Sequence, residues 1–288
     1  MITNFKTAAD FRKSLEARLQ NIATARNEPL QRLRRKVAFD RFLARLFSSG
    51  NQSFFLKGGY AMELRLSTAR ATADIDLTSL KRVKKSNNDV LSTIILEELR
   101  YLAHQDLGDF FIYRVGEVQV DLNNAPYGGA RYPVSSLIDG RLFVRFHLDV
   151  GADAITDHLE TAQGTDWLDF CEIPPPTFTM ISIEQQFAEK LHAYTLPRLE
   201  RLNTRVKDLV DMVLLAQMRS LNFANLKEAL KQVFKVRKTH SLPKHINPPP
   251  PQWEIPYNKL ATECILETNM SEAFEIVAKI YSHIQSEI

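Results

Sequence analysis

Apolar residues recur every three to four positions at the start of the chain. Phe11, Leu15, Leu19 and Ile22 form one stripe, and Leu30, Leu33, Val37, Phe39, Phe42, Leu43 and Leu46 a second, which predicts two amphipathic helices. Pro29 suits the first turn of the second helix, where its missing N–H costs nothing. The period then shortens. SFFLKGG is a brief apolar run stopped by Gly58 and Gly59, YAMELRL returns to helical spacing, and TADIDL alternates with period two, which together predict strand, tight turn, helix and strand. Asn88 is placed to cap a helix carrying Val90, Leu91, Ile94, Ile95 and Leu99. FIYRVGEVQVDL, ARYPVSSLI and RLFVRFHLDVG predict three further strands, and Ile173 to Pro176 (IPPP) close this strand-rich part because consecutive prolines join neither ladder nor helix. Ser182 and Gln185 then form a capping-box pattern, and helical spacing runs to the end, with NPPPPQWEIP at Asn247 to Pro256 expected as a loop. The pattern predicts an α+β protein: residues 1–172 hold N-terminal helices and a mixed sheet flanked by helices, and residues 173–288 form a helical C-terminal part.

With 288 residues and 44% hydrophobic content, the chain can bury a sizeable core and is not of disordered composition. No apolar run approaches the roughly 18 residues needed to span a bilayer, and the polar start MITNFKTAAD lacks a signal-peptide core, so a cytoplasmic location without membrane association is expected. Cys171 and Cys264 lie far apart without metal-knuckle or disulfide spacing and are expected to be inert. The net charge of +3 is too small to indicate a nucleic-acid partner, but the cations cluster. Arg32, Arg34, Arg35, Lys36, Arg41 and Arg45 make one group, Lys81, Arg82, Lys84 and Lys85 a second, and Lys231, Lys235, Arg237 and Lys238 a third. Each is readable as a solvated face or as a phosphate-binding patch.

Residues two apart on a strand share a face, so Asp74 and Asp76 present their carboxylates together while Ala73, Ile75 and Leu77 turn to the core. Two adjacent carboxylates repel unless a metal ion or basic side chains stand between them. In RLFVRFHLDVG, Arg145, His147 and Asp149 line one face and Val144, Phe146, Leu148 and Val150 the other. A row of ionisable groups on a central strand points either to a polar cleft or to a structural ion pair. Gly58 and Gly59 before a helix suit either a plain turn or a backbone approach to phosphate. His147 is the histidine best placed for chemistry, but it has no partner at zinc-binding spacing.

Taken together, LKGGYAMELRLSTARATADIDL, FHLDVG and EKLHAYTLPRLERLNTRVKDLVDMVLL resemble the AbiEii/AbiGii (MenT-like) toxin family, nucleotidyltransferases related to DNA polymerase β. The resemblance runs from about Leu30 to Leu215. It implies the polymerase β-like mixed sheet, a nucleoside triphosphate (NTP) substrate, Mg2+ or Mn2+, and a toxin role with a cognate antitoxin. By the same resemblance Asp74, Asp76 and Asp149 are the metal ligands and catalytic acids, joined by Lys190 and Asp211. Gly58, Gly59, Lys57, Arg145, Lys190, Arg205, Lys207 and Asp208 are the expected nucleotide-binding residues. Tyr60 departs from the wider fold, where a small hydroxyl residue often follows the glycines. Taken alone, Lys190 faces away from the Phe187 and Leu191 stripe and reads equally well as solvated. Asp208 and Asp211 share a helical face on which a cation, or an arginine such as Arg198, Arg201 or Arg205, would suit them.

The implied reaction is in-line displacement at the α-phosphate, with pyrophosphate leaving and Asp149 serving activation of the acceptor hydroxyl. The acceptor expected first is RNA, as a tRNA 3′ end. Nucleotidylation of a protein or of a small molecule is the alternative within enzymes, and a catalytically inactive nucleic-acid or partner-binding module is the alternative outside them.

Overall fold

The structure is a computed structural model, and it describes residues 5–48, 53–80, 88–121, 128–152, 158–198, 203–218 and 220–286. The chain divides into two compact units. The first comprises residues 1–64, 71–154 and 160–180, and the second residues 65–70, 155–159 and 181–288.

The first unit opens with helices α1 (Ala8–Arg26) and α2 (Leu30–Phe47). Phe11, Leu15 and Leu19 of α1 and Leu33, Val37, Phe39, Phe42, Leu43 and Leu46 of α2 are all buried, as their spacing predicts. Thr7 caps α1 through its hydroxyl, which accepts from the Asp10 N–H. Strand β1 (Phe54–Lys57) runs straight into α3 (Gly58–Arg65), then β2 (Ile75–Ser79) and α4 (Asn88–Ala103) follow. On α4 the core stripe is Leu91, Ile95 and Leu99, spaced by four. Val90 and Ile94, expected beside them, lie 52% and 37% exposed because they fall on the flank of that stripe.

FIYRVGEVQVDL forms two strands rather than one, β3 (Phe111–Val115) and β4 (Val120–Asp121), separated near Gly116, and both pair antiparallel with β5 (Gly129–Ile138). β5 and β6 (Arg141–Gly151) form a hairpin around Asp139 and Gly140, both with positive φ, the backbone that favours a tight two-residue connection. A register shift between Ser136 and Leu137 follows the turn: Leu137 faces Leu142, but Ser136 faces Val144. Beyond it lie β7 (Glu160–Gln163) and β8 (Thr177–Met180), two short strands that the hydrophobic pattern does not predict. Sheet order is β3-β5-β6-β2-β1-β8-β7, with β4 also on β5; β2 is parallel to β6 and antiparallel to β1. The mixed sheet and its helices are the α+β architecture expected.

The second unit is mainly helical: α5 (Ile183–Thr195), α6 (Val206–Gln217), α7 (Phe223–Arg237), α8 (Glu254–Glu263) and α9 (Met270–Ser286). Ser182 caps α5 by accepting from the Gln185 N–H, as the capping box requires. The Asn247 to Pro256 segment is not a loop throughout. A single 3-10 turn at Pro251–Trp253 leads into α8 at Glu254, where buried Trp253 anchors it by donating to the Asn203 carbonyl. Its prolines fall where no helical N–H is needed, which is why the segment folds despite them.

Candidate active site

Asp76 sits in the second position of β2, and Asp74 immediately precedes that strand. Ile75 and Leu77 are fully buried and Asp74 and Asp76 half-buried, but Ala73, expected in the core, is exposed because the strand has not yet begun. Asp76 is the register partner of Asp149 on the parallel neighbour β6. Adjacent strands lie about 4.8 Å apart, so the two side chains leave the sheet side by side. The polar row on β6 alternates as expected, with Arg145 exposed and His147 and Asp149 half-buried. His147 Nδ1 lies 3.4 Å from an Asp74 carboxylate oxygen.

Between these acids stands a residue that sequence pattern does not single out. Arg131 on β5 donates two 2.7 Å hydrogen bonds to the two oxygens of Asp149, and its guanidinium lies 3.7 Å from Asp74. The fork on Asp149 raises the pKa of Arg131, so the cation is permanent at any working pH. The bulge brings this pair together. A plain hairpin closing on Asp139 and Gly140 would set Asp149 opposite Ala130, whereas the one-residue shift sets it opposite Arg131. Arg145, the arginine expected at the site, instead faces Ser135 farther along the hairpin.

Gly58 has φ +68 and is packed so closely under Asp76 that a Cβ there would collide with the carboxylate. The Gly59 N–H points at the same carboxylate at 3.4 Å, so the α3 N-terminus faces Asp76. A Cβ on Gly59 would meet the Thr72 hydroxyl at 2.6 Å. Glycine at both positions thus has a steric cause, which is the room needed by Asp76 and Thr72. Tyr60 does not replace the small hydroxyl seen in relatives of the fold. It is buried, and its O–H donates to Asp40 on α2. Asp40 also accepts from the Thr165 N–H and the Trp167 indole N–H, and burial pushes its pKa up to about 6 against those bonds.

The first basic cluster is not a solvated face. Arg41 and Arg45 are buried and share Asp109, at 2.7 Å and 2.6 Å. Burial would raise the Asp109 pKa, but the two arginines hold it below the usual carboxylate range. Arg34 pairs with Glu16 at 2.7 Å, and Arg32 and Lys36 both reach Glu28 and Glu63. Glu63 also accepts from the Thr72 N–H at 2.7 Å, while Arg35 donates to the Thr72 carbonyl. The cluster therefore braces the segment that delivers Asp74 and Asp76. Lys81, Arg82, Lys84 and Lys85 lie outside the described residues, as does Arg201.

In the second unit, Lys190 on α5 is not solvated. Its ammonium lies 2.7 Å from Asp211 and 3.2 Å from Asp208, both on α6, and Asp211 also takes both arms of Arg70 at 3.1 Å and 3.0 Å. Burial disfavours charge on Lys190, but Asp211 and Asp208 outweigh it and raise its pKa; Lys190 and Arg70 in turn hold Asp211 low against its own burial. Arg205 reaches Asp208 at 3.5 Å, and Lys207 is exposed. In the third basic cluster, Lys231, Lys235 and Lys238 are exposed while Arg237 turns toward Glu189. Cys171 and Cys264 are buried free thiols. Among the described residues no helix is long and apolar enough to cross a membrane, and, with Arg131 standing on Asp149 and beside Asp74, no three His, Cys, Asp or Glu side chains are gathered closely enough in this arrangement to hold a metal ion.

A search of curated protein sequences finds no match. Among solved structures, the chain is similar to MenT4, a nucleotidyltransferase toxin from Mycobacterium tuberculosis, with TM-score 0.59 and 14% identity over 94% of this chain and 98% of that one. It is also similar to JHP933 from Helicobacter pylori, with TM-score 0.49 and 16% identity over 89% of this chain and 93% of that one. At 14% identity the likeness to MenT4 speaks to the fold alone. A family model matches residues 41–279, a span that holds β1, the Gly58–Gly59 turn, both acid strands and α5 to α8. That model describes the AbiEii nucleotidyl transferase toxin of type IV toxin–antitoxin systems, and the chain belongs to this family of nucleotidyltransferases.

Proposed function

We propose that the chain transfers a nucleoside monophosphate from an NTP to an RNA acceptor, with pyrophosphate as the leaving group, and that Asp74, Asp76 and Asp149 hold Mg2+ or Mn2+ for it. The observation that carries this reading is the register pairing of Asp76 with Asp149, on strands whose opposite faces are core, with Asp74 two residues before Asp76 at the entry to β2. Hard carboxylate oxygens on adjacent strands suit a hard divalent cation, and the half-buried setting leaves them accessible to it. When bound, such an ion supplies Lewis-acid stabilisation of charge on the transferring phosphate.

The remaining chemistry belongs to the chain. Asp149, the acid on the neighbouring strand, would serve activation of the acceptor hydroxyl. Asp76 fixes the turn at Gly58 and Gly59, whose following helix directs its positive end to the same place. Lys57, beside Asp76 on the neighbouring strand, is a further candidate for the triphosphate. Lys190, Asp208 and Asp211, with Arg205 at their edge, form an ion-paired cluster within the second unit, and their role in this reading is to hold α5 against α6. For RNA, the exposed Lys231 and Lys235 on α7 and Lys238 at its C-cap, of which Lys231 reaches only the exposed Glu228 among the described residues, are a more suitable phosphate contact than the more enclosed and internally bonded Arg34, Arg35 and Lys36. A cognate antitoxin and a cytoplasmic setting accompany this reading.

The test is incubation with each labelled NTP, total RNA and a protein lysate, followed by separation of the label. Uptake into RNA, abolished in Asp76→Asn, is expected. Label confined to protein or small molecules would replace RNA as the acceptor class.

A further inference from the structure

The acids of the first unit already have a cation of the chain's own. Arg131 forks onto both oxygens of Asp149 and stands 3.7 Å from Asp74, so it occupies the positions from which carboxylate lone pairs would reach a divalent ion. The fork is not buried scaffolding. The Arg131 side chain is 34% exposed and Asp149 16%, unlike Arg45 and Asp109, which are almost wholly inside. Arg131 and Asp149 are opposite each other only because the strand pair carries the bulge after Ser136. A bulge that re-aims a side chain at a polar face marks a positioned group.

Building on the metal-dependent reading above, we infer that Arg131 is a displaceable internal counterion: it holds Asp149 and Asp74 while no metal is bound, yields Asp149 to the divalent ion, and then turns its guanidinium to the triphosphate. The physical basis is exchange of like for like. A guanidinium and a divalent cation compete for the same two oxygens, so both cannot hold Asp149 fully. A released guanidinium is a planar donor fork whose geometry matches phosphate oxygens as well as carboxylate. The incoming triphosphate brings the negative charge that Asp149 ceases to offer. NTP and metal would therefore bind with mutual reinforcement, because each removes the partner that the other must displace.

The experiment compares wild type, Arg131→Met, Arg131→Lys and Asp76→Asn, all as full chains, with Mn2+ binding followed by electron paramagnetic resonance in the absence of nucleotide. Arg131→Met keeps an apolar stem on β5 and removes the competing charge. It is expected to bind Mn2+ about tenfold tighter than wild type, the scale of one charge-assisted hydrogen-bonded pair in a half-open setting. Arg131→Lys should fall between them. At saturating Mn2+, Arg131→Met should raise the KM for NTP, and addition of a non-hydrolysable NTP should tighten Mn2+ binding by a larger factor in wild type than in this variant. Unchanged or weaker Mn2+ affinity in Arg131→Met would overturn the inference while leaving the metal reading intact. Failure of every variant to bind Mn2+ would overturn both, and binding by wild type that survives in Asp76→Asn would move the metal away from these acids.

Discussion

Asp74, Asp76 and Asp149 keep part of their surface in water, and Asp74 and Asp149 share one half-exposed arginine, whereas Asp208 and Asp211 are buried and paired with Lys190, and Asp211 with Arg70 as well. Both groups read as acidic motifs in the sequence, yet they are built for different ends. In the first unit the acids keep part of their surface in water, which is the condition for taking up a cation or a substrate. In the second the charge is balanced inside the protein, so removing one partner leaves another uncompensated in a low-dielectric surrounding. An acid pair at motif spacing thus says little about its role until its cations are located.

Removing one acid from each group tests this contrast most severely. Asp76→Asn keeps the volume under which Gly58 and the α3 turn pack, so its melting temperature should stay within a few degrees of wild type. Transfer should fall by about a thousandfold or more, the scale of several kcal/mol of lost transition-state stabilisation. Asp211→Ala should do the reverse in kind. It strands Lys190 and Arg70 and should cost about 3–5 kcal/mol in urea unfolding, with activity lost in proportion to the folded fraction. A stable, inactive Asp211→Ala would place that residue in the chemistry instead, and an unstable Asp76→Asn would make its carboxylate structural.

Among the buried carboxylates, Asp40 responds to pH in the opposite sense to Asp109 and Asp211. Asp40 has its folded pKa raised from 3.8 to about 6, so the folded state binds its proton more tightly than the unfolded chain does. Its favourable contribution is complete below about pH 4 and is lost as pH rises through about 6, up to about 3 kcal/mol at 1.4 kcal/mol per unit. Asp109 and Asp211 have lowered pKa values, so their contributions are present above the unfolded carboxylate range and are lost as pH falls. Unfolding of Asp40→Asn beside wild type at pH 4.5 and 7.5 checks the sign: the variant should gain stability relative to wild type as pH rises. A difference that does not move with pH would show that the three hydrogen bonds to Asp40 keep it ionised throughout.

Periodicity made the helices and the core legible, since Phe11, Leu15, Leu33, Val37 and Leu91 each fall where their spacing places them. The acid strands were legible for the same reason: alternation fixes which side chains leave one face. What sequence could not show was register. Asp139 and Gly140 signal a two-residue hairpin, but counting back from that turn aligns Asp149 with Ala130, and only the bulge brings Arg131 to it. The adjacent buried pair Phe143 and Val144, which breaks strict alternation, is the one trace of that bulge in the chain's pattern. Long-range pairing was likewise hidden. Nothing local distinguishes Arg41 and Arg45, which meet Asp109 in the core, from the exposed Lys231 and Lys235. Charge clustering reports composition along the chain, and burial is decided by residues tens of positions away.

A milder change probes that last point. Replacing Arg34, Arg35 and Lys36 together with alanine removes the Glu16 pair, the bond to the Thr72 carbonyl and one of the cations on Glu63. Each interaction is partly screened, so the summed loss should be about 1–2 kcal/mol. Glu63, whose pKa burial already raises, would lose part of its compensation and loosen its hold on the Thr72 N–H, and with it the approach to Asp74. The variant should therefore melt a few degrees lower and show a modest fall in kcat, with RNA affinity and its salt dependence unchanged. Replacing Lys231, Lys235 and Lys238 instead should leave stability alone and flatten the salt dependence, by about 0.7 in log-log slope for each single-stranded phosphate that is no longer neutralised. If the first triple variant flattened the slope and the second did not, the paired arginines of α2 would have to release their carboxylates on meeting RNA, and the division between internally balanced and accessible charge would fail for this part of the molecule.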